Sequence, residues 1–223
     1  TFGNRTKEQG TNGQSIIGQS GVSEGGLGDN QIAGQRVYTQ TVDKSKQGYQ
    51  DSKPFIDVNG KPMIQRVIEN LNIEFDNKFK FIIITQKADY QEYDYSLFND
   101  IIGHTNIELV LLDGITEGAA CTLLAAKAHI DNRTPLLSFN SDQLIEYDPN
   151  KTFSRLSLHD GGMPCFKGEG PKWSYAKTDE EGYVTEVAEK KQISNQATAG
   201  YYYWNRGSDF VKYAEKMIKA NDR

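Results

Sequence analysis

Three largely apolar runs, separated by helix-like segments, constrain the fold of this chain more than any other feature. They are KFKFIIIT (78–85), IELVLLD (107–113) and PLLSFN (135–140). Each is rich in Ile, Leu, Val or Phe and lacks the regular alternation of a strand with one solvated face, so each indicates a strand buried on both faces. Strands of this kind in alternation with helices predict an α/β fold with three layers, α/β/α, and a mostly parallel central sheet.

Helix patterns lie between and beside these runs. The first begins near Pro62, an N1 proline, and one face carries all of its large apolar residues: Met63, Ile64, Val67, Ile68 and Leu71. Two further helices are expected at ADYQEYDYSLFNDII (88–102) and GAACTLLAAKAHI (118–130). Upstream, Phe55–Val58 is expected to form a short strand that ends in an Asn-Gly turn.

The pattern changes after residue 160, where the chain becomes β-rich. WSYAKTDEEGYVTEVAEK (173–190) predicts two strands around a Glu-Glu-Gly turn, and AGYYYW (199–204) predicts a further strand. GSDFVKYAEKMIKAND (207–222) predicts an amphipathic helix with Ser208 as its N-cap.

Residues 1–50 differ from the rest of the chain. They are rich in Gly, Gln, Asn and Ser and poor in large apolar residues, so we expect loop or disorder there. Only QRVYTQTV (35–42) has a strand pattern. The predicted organisation is therefore an atypical segment, 1–50, followed by an α/β domain, 51–223.

Composition excludes several classes of function. The formal charge is −5, and no Lys/Arg block is dense enough to neutralise a run of duplex phosphates, so nucleic acid is not an expected partner. No stretch approaches the roughly 20 apolar residues of a membrane span, and no signal-peptide core is visible. Cys121 and Cys165 have no His or Cys at metal-ligand spacing and predict free thiols in a reducing, cytoplasmic compartment.

An acid stands just beyond the third apolar run. Asp142 follows the strand pattern Leu136–Phe139, and ligands of open α/β sheets bind outside the carboxyl ends of the strands. A carboxylate there can hold Mg²⁺ together with phosphate oxygens. The alternative is a structural role, an Asx-turn or a helix N-cap.

Two other segments have the character of an anion site. Thr116, Gly118 and Ala119 precede a predicted helix and would present a small, backbone-rich surface to a base or a phosphate. Lys53 is held next to Pro54 and would place a cation in a fixed frame, although an ordinary surface lysine is the alternative.

Taken together, these motifs resemble the sugar-phosphate nucleotidyltransferases, the nucleoside-diphosphate-sugar pyrophosphorylases. The resemblance runs from SKPFIDVNGKPMI (52–64) through TEGAA (116–120) and NSD (140–142) to EVAEKKQISNQATAGYYYW (186–204). It looks closest to a capsule and surface-polysaccharide branch. It implies a nucleotide-diphospho-sugar transferase-like fold whose β-rich part forms the acceptor side, and a domain that is incomplete at its C-terminus.

The resemblance also implies a reaction and a set of site residues. A nucleoside triphosphate would give its nucleotidyl group to a sugar 1-phosphate or a similar small phosphorylated acceptor. Lys53 and Asp142 would be catalytic, and Asp142 would bind Mg²⁺. The nucleotide would be bound by Gly34, Arg36, Lys53, Thr116, Gly118 and Ala119. The acceptor would be bound by Gly162, Glu189, Lys190, Gly200 and Tyr201. The resemblance leaves open whether the protein forms a homo-oligomer.

Two alternatives remain at this stage. The family's Gly-rich loop, of the kind LAxGxGxR, is reduced here to IAGQR (32–36), which lacks the GxG. An inactive nucleotide-binding remnant would explain that change. A glycosyltransferase that uses a nucleotide sugar would also place an acid at a strand end, typically as a D-x-D pair, whereas this chain has Asn140-Ser141-Asp142.

Overall fold

The computed structural model describes residues 37–39, 53–71, 80–92, 94, 96 and 106–221. The helices are α1 (Met63–Leu71), α2 (Lys87–Glu92), α3 (Ala119–Leu124), α4 (Lys127–Ile130), α5 (Pro149–Leu156) and α6 (Gly207–Lys219), preceded by a 3₁₀ turn at Lys53–Phe55. The strands are β1 (Val37–Thr39), β2 (Lys80–Gln86), β3 (Asn106–Leu112), β4 (Leu136–Phe139), β5 (Gln143–Ile145), β6 (Gly161–Gly162), β7 (Cys165–Lys167), β8 (Ser174–Thr178), β9 (Val184–Glu189), β10 (Gln196–Thr198) and β11 (Tyr201–Trp204).

The strands form four hydrogen-bonded groups within the described residues. β2 and β3 pair in parallel over seven residues, from Lys80↔Asn106 to Gln86↔Leu112. β11 lies between β4 and β6 and is antiparallel to both. β7, β10, β8 and β9 form an antiparallel sheet, and β1 pairs with β5. The α/β class is confirmed. The central sheet is only partly parallel, because β11 is antiparallel to β4.

Alternate residues of β4 and β11 enter different clusters, which builds the layers. Leu136 and Trp204 pack with α6, in a cluster that also receives Ile82 and Val110 from the parallel pair. Leu137 and Tyr201 pack with Leu71 of α1, in the cluster that extends into the antiparallel sheet. Successive side chains of a strand point to opposite faces, so helices cover the sheet on both sides.

The segment around α1 departs partly from the predicted pattern. Phe55–Val58 is not a strand: the chain forms a 3₁₀ turn and then an isolated Asp57↔Pro62 bridge. The Asn59-Gly60 turn is confirmed, with φ of 56° and 81°, and it folds Val58 N onto Lys61 O at 2.7 Å. The predicted apolar face of α1 is confirmed, since all five of its residues are buried.

Two other helix predictions change. The helix expected over 118–130 is divided into α3 and α4, because i→i+3 bonds at Ala125 and Ala126 tighten the chain between them. Ser208 is not an N-cap, since α6 begins at Gly207. The helix predicted over 88–102 is described only for its first part, within α2, and its later residues lie mostly outside the described part of the chain.

The β-rich region largely follows the prediction. β8 and β9 pair around a turn closed by Tyr183 N donating to Asp179 Oδ1 at 2.8 Å, with Gly182 at φ 88°. Both cysteines are free. Of the segment 1–50, only the backbone of β1 is described, at the position where a strand pattern was seen. Among the described residues, no helix is both long and apolar enough to cross a membrane.

Candidate functional site

The turn that carries Asp142 is fixed at its two ends. β4 ends at Phe139 and β5 begins at Gln143, so Asp142 directly precedes β5. Asn140 Nδ2 donates to Gln143 Oε1 at 2.7 Å, which closes the turn with a side-chain pair. The backbone N–H of Asn140 donates to Gly200 O at 3.2 Å. The turn is therefore held against the beginning of β11.

Gly200 lies directly against this turn. Its φ is 75°, in the left-handed region, and an added Cβ would lie 1.4 Å from Gln143 Oε1 and 2.9 Å from Asn140 Nδ2. Any larger residue would displace the amide pair that closes the turn. The structure thus places Gly200, one predicted site residue, against the turn that carries another, Asp142.

The acids near Asp142 have different roles. Asp148 is the N-cap of α5, where its carboxylate accepts from Lys151 N at 3.0 Å, and Glu146 is exposed. Asp142 is half-buried and lies outside any helix start, so the N-cap reading applies to Asp148 rather than to Asp142.

The Asn140–Asp142 turn offers one carboxylate, that of Asp142, to a metal ion. No group of three or more His, Cys, Asp or Glu side chains suited to a metal occurs among the described residues. Mg²⁺ usually takes one or two carboxylates and completes its shell with waters and substrate phosphates. Asp142, a half-buried carboxylate just beyond the end of β4, is a donor of the kind that such an ion takes.

Tyr201 and Gly162 lie in the sheet that contains β4, the strand that leads into the turn. Tyr201 pairs with Phe139 across the β4–β11 ladder and is 1% exposed, and its hydroxyl donates to Asn70 Oδ1 at 3.3 Å. Burial raises the pKa of Tyr201, so its phenol stays neutral. Gly162 is buried in β6, opposite Tyr203. Tyr201 is therefore a core residue beneath the site, with its ring packed inside.

The predicted nucleotide loop belongs to the parallel pair. The hydroxyls of Thr116 and Thr122 both donate to Gly118 O, at 3.3 and 3.2 Å, so they shape the entry to α3. An added Cβ at Gly118 would meet nothing within 4 Å, and Ala119 is exposed. Ile115, just before the loop, is 92% exposed. This segment presents an open surface beyond the carboxyl end of β3.

Glu189 and Lys190 lie at the end of β9, in the antiparallel sheet. Their side chains are exposed and form an ion pair, with Lys190 Nζ 2.9 Å from Glu189 Oε1. Lys190 has φ 55°, and its N–H donates to Trp173 O at 3.0 Å. The backbone thus fixes the direction of the loop while both charged groups stay in solvent, and β9 belongs to a different sheet from β4, the strand that leads to Asp142.

The remaining predicted residues are described little or not at all. Lys53 begins the 3₁₀ turn, but its side chain lies outside the described residues, as do Gly34 and Arg36. Conversely, sequence reasoning missed Asn140 and Gln143, whose contact shapes the Asp142 turn. The signal that the sequence offers for them is their position on either side of Asp142, the acid at the end of a strand.

Comparison with solved structures agrees with this architecture. A nucleoside-diphosphate-sugar pyrophosphorylase from Vibrio cholerae RC9 is 26% identical, with a TM-score of 0.65 over 78% of this chain and 73% of its own. HddC from Yersinia pseudotuberculosis is 22% identical, with a TM-score of 0.54 over 72% and 70%. A UDP-glucose pyrophosphorylase complexed with UDP-glucose is 17% identical, with a TM-score of 0.55 over 74% and 79%. The last two show likeness of fold alone.

The family assignment rests on the sequence profile. No curated protein sequence matches the chain. The profile described as nucleotidyl transferase matches residues 28–223, which include both the Asp142 turn and the β11 segment packed against it. The chain is therefore a member of the nucleotidyl transferase family.

Proposed function

We propose that this protein transfers a nucleoside monophosphate from a nucleoside triphosphate to a sugar 1-phosphate or a similar small phosphorylated acceptor, with release of pyrophosphate. The observation that carries the proposal is the Asp142 turn, held between β4 and β5 against Gly200. The family profile and the 26% identical pyrophosphorylase support the reaction class. We further propose that the reaction takes place in the cytoplasm and serves the synthesis of surface polysaccharides.

The reaction needs positioning rather than a covalent nucleophile. A phosphate oxygen of the acceptor attacks the α-phosphorus of the triphosphate, the α–β bridging P–O bond breaks, and its electron pair leaves with pyrophosphate. Aligning two polyanions and neutralising their charge account for most of the catalysis in reactions of this type.

The nucleotide and acceptor would approach the Asp142 turn from two sides. Thr116, Gly118 and Ala119 present an open surface that suits a base, and Lys53 would meet the phosphates together with Gly34 and Arg36. Lys190 is an exposed cation for the acceptor's phosphate, next to Glu189. Gly162, Gly200 and Tyr201 would support the acceptor wall from within the sheet.

Asp142 is the residue that would hold Mg²⁺. The ion would neutralise charge on the triphosphate, which lowers the repulsion between donor and acceptor phosphates. The turn's own contribution is to hold the carboxylate at a fixed place beyond the end of β4.

Calorimetric titration of CTP, UTP, dTTP, GTP and ATP, each with Mg²⁺, tests the proposal. We expect one triphosphate to bind selectively and to release pyrophosphate when a sugar 1-phosphate is added. Binding of a nucleotide sugar but of no triphosphate would favour the glycosyltransferase alternative. Triphosphate binding without turnover on any phosphorylated acceptor would favour the inactive remnant.

A further inference from the structure

Asn70, near the end of α1, makes three hydrogen bonds to two strands that meet at the candidate site. Its Nδ2 donates to Ile145 O at 2.8 Å, and its Oδ1 accepts from Ile145 N at 2.8 Å. The same Oδ1 accepts from the Tyr201 hydroxyl at 3.3 Å. One half-buried side chain therefore links α1, β5 and β11.

The bonds to Ile145 occupy an edge of β5. Ile145 is opposite Val37 in the β1–β5 ladder, and successive residues of a strand direct their N–H and C=O groups to alternate edges. Since both polar groups of Ile145 go to Asn70, they point away from β1. Asn70 thus replaces a neighbouring strand at this edge.

This edge of β5 lies close along the chain to the turn that carries Asp142. β5 has three residues, Gln143–Ile145, and Asp142 directly precedes it. The first residue of β5 is held by Asn140 and lies against Gly200, and the last is held by Asn70. A short strand fixed at both ends leaves the preceding turn little freedom.

We propose that Asn70 is a positioning residue that holds the Asp142 turn and the Gly200–Tyr201 segment in one frame, in support of the function proposed above. Asn70 acts through β5 and Tyr201 and does not itself touch substrate. Without it, the two polar groups of Ile145, which is 3% exposed, lose their partners, and the end of β5 loses its link to α1 and to Tyr201 through this side chain.

Hydrogen exchange measured by mass spectrometry on the full chain tests the positioning directly. In Asn70→Ala we expect exchange of the backbone amides over 140–145 to increase about tenfold, through local opening, while the other strands change less. The matched control is Tyr147→Phe, which removes a bond from the Tyr147 hydroxyl to Leu71 O at 3.1 Å on the same helix. It should leave exchange at 140–145 unchanged.

Asn70→Asp is a second variant for the case in which Asn70→Ala does not fold. It keeps an oxygen for Ile145 N and for the Tyr201 hydroxyl but sets its second oxygen, an acceptor, against Ile145 O, so exchange at 140–145 should again increase. Unchanged exchange at 140–145 in both asparagine variants, or an equal increase in Tyr147→Phe, would overturn the proposal.

Binding of Mn²⁺ in the presence of inorganic pyrophosphate, followed by electron paramagnetic resonance, connects the positioning to the site. Asn70→Ala should bind Mn²⁺ about tenfold more weakly than wild type, as for residues that orient a metal ligand, and Tyr147→Phe should bind it like wild type. Wild-type affinity in Asn70→Ala would overturn the role toward the metal. If wild type itself binds no Mn²⁺ while the exchange effect stands, the proposed function fails and the positioning by Asn70 does not.

Discussion

At the residue scale, two glycines occupy positions where neighbouring atoms leave no room for a Cβ. Gly200 combines a φ of 75° with a Cβ direction that points into Gln143. Gly207 is similarly restricted, because a Cβ there would lie 2.1 Å from Ile130 O. Both restrictions come from contacts between segments that are distant in sequence, so neither could be read from the local pattern.

Replacing Gly200 by alanine should destabilise the protein by about 1 to 3 kcal/mol, since it adds left-handed strain and displaces the Gln143 amide. Gly114→Ala is the matched control, because a Cβ at Gly114 meets nothing within 4 Å. Urea denaturation of both variants measures the difference. Equal midpoints for Gly200→Ala and wild type would show that the turn is not packed against residue 200.

Lys190→Ala should raise the KM for the phosphorylated acceptor about ten- to a hundredfold, because a charge-assisted hydrogen bond to phosphate contributes about 1.5 to 3 kcal/mol. The KM for the triphosphate should stay the same, and stability should change little because the side chain is exposed. The neighbouring Lys191→Ala, also exposed, is the control. Equal rises in both KM values would contradict the assignment of Lys190 to the acceptor.

At the element scale, the spacing of apolar residues predicts those helices and strands that bury one face and expose the other. α1 is the clearest case, since its apolar positions are all buried as the spacing indicates. Leu71 at its end is 1% exposed and belongs to the cluster with Tyr201 and Ile145. This helix supports β5, and through β5 it supports the Asp142 turn.

Leu71→Ala should lower the free energy of unfolding by about 2 to 5 kcal/mol, from lost burial and the cavity that remains. Gln65→Ala on the exposed side of the same helix, where the Gln65 side chain donates to Glu69, should cost less than about 1 kcal/mol. Thermal or urea unfolding monitored by circular dichroism distinguishes them. Similar losses in the two variants would contradict the burial of this helix face.

Elements that depend on distant backbone contacts were harder to predict. Ser208 reads as an N-cap, yet the first amides of α6 are satisfied by the backbone: Gly207 N donates to Thr134 O and Ser208 N to Asn132 O, each at 2.9 Å. Short strands such as β5 and β10 have too few residues to show a period. Of the site, the acid at the strand end was predictable, whereas its support by Asn70 and Gln143 was not.

At the scale of the whole molecule, aromatic side chains join the layers. Tyr201 lies edge-on to Phe139 and Tyr147, with ring centroids 6.0 and 5.9 Å apart. On the opposite face of β11, Trp204 packs against Phe210 of α6 at 4.9 Å. Trp204 thereby connects β11 to α6, and Tyr201 connects it to β4 and to the segment that follows β5.

The buried tyrosines predict a loss of stability in alkali. Burial raises the pKa of Tyr147, Tyr201 and Tyr203 above the ordinary value of 10.0. These phenols stay neutral in the folded state while the unfolded chain ionises them, so their stabilisation is complete below pH 10 and is lost as the pH rises above it. Denaturation midpoints should therefore fall above about pH 10.

Tyr147→Phe should make that fall less steep, because it removes one of the phenols whose pKa is raised by burial. Tyr90→Phe, at a tyrosine that is 41% exposed, is the control and should keep the wild-type slope. A midpoint that does not change between about pH 9 and pH 11 would contradict the neutral burial of these side chains.

Transfer of an α-labelled nucleotide to a sugar 1-phosphate by wild type, Asp142→Asn and the control Glu146→Gln tests most directly whether the Asp142 turn serves nucleotidyl transfer. We expect wild type and Glu146→Gln to form labelled nucleotide sugar at similar rates with Mg²⁺. Asp142→Asn should be slower by about 100-fold or more, because a charged ligand is lost while the shape is kept. Transfer by Asp142→Asn at the wild-type rate would show that the Asp142 carboxylate has no part in the reaction.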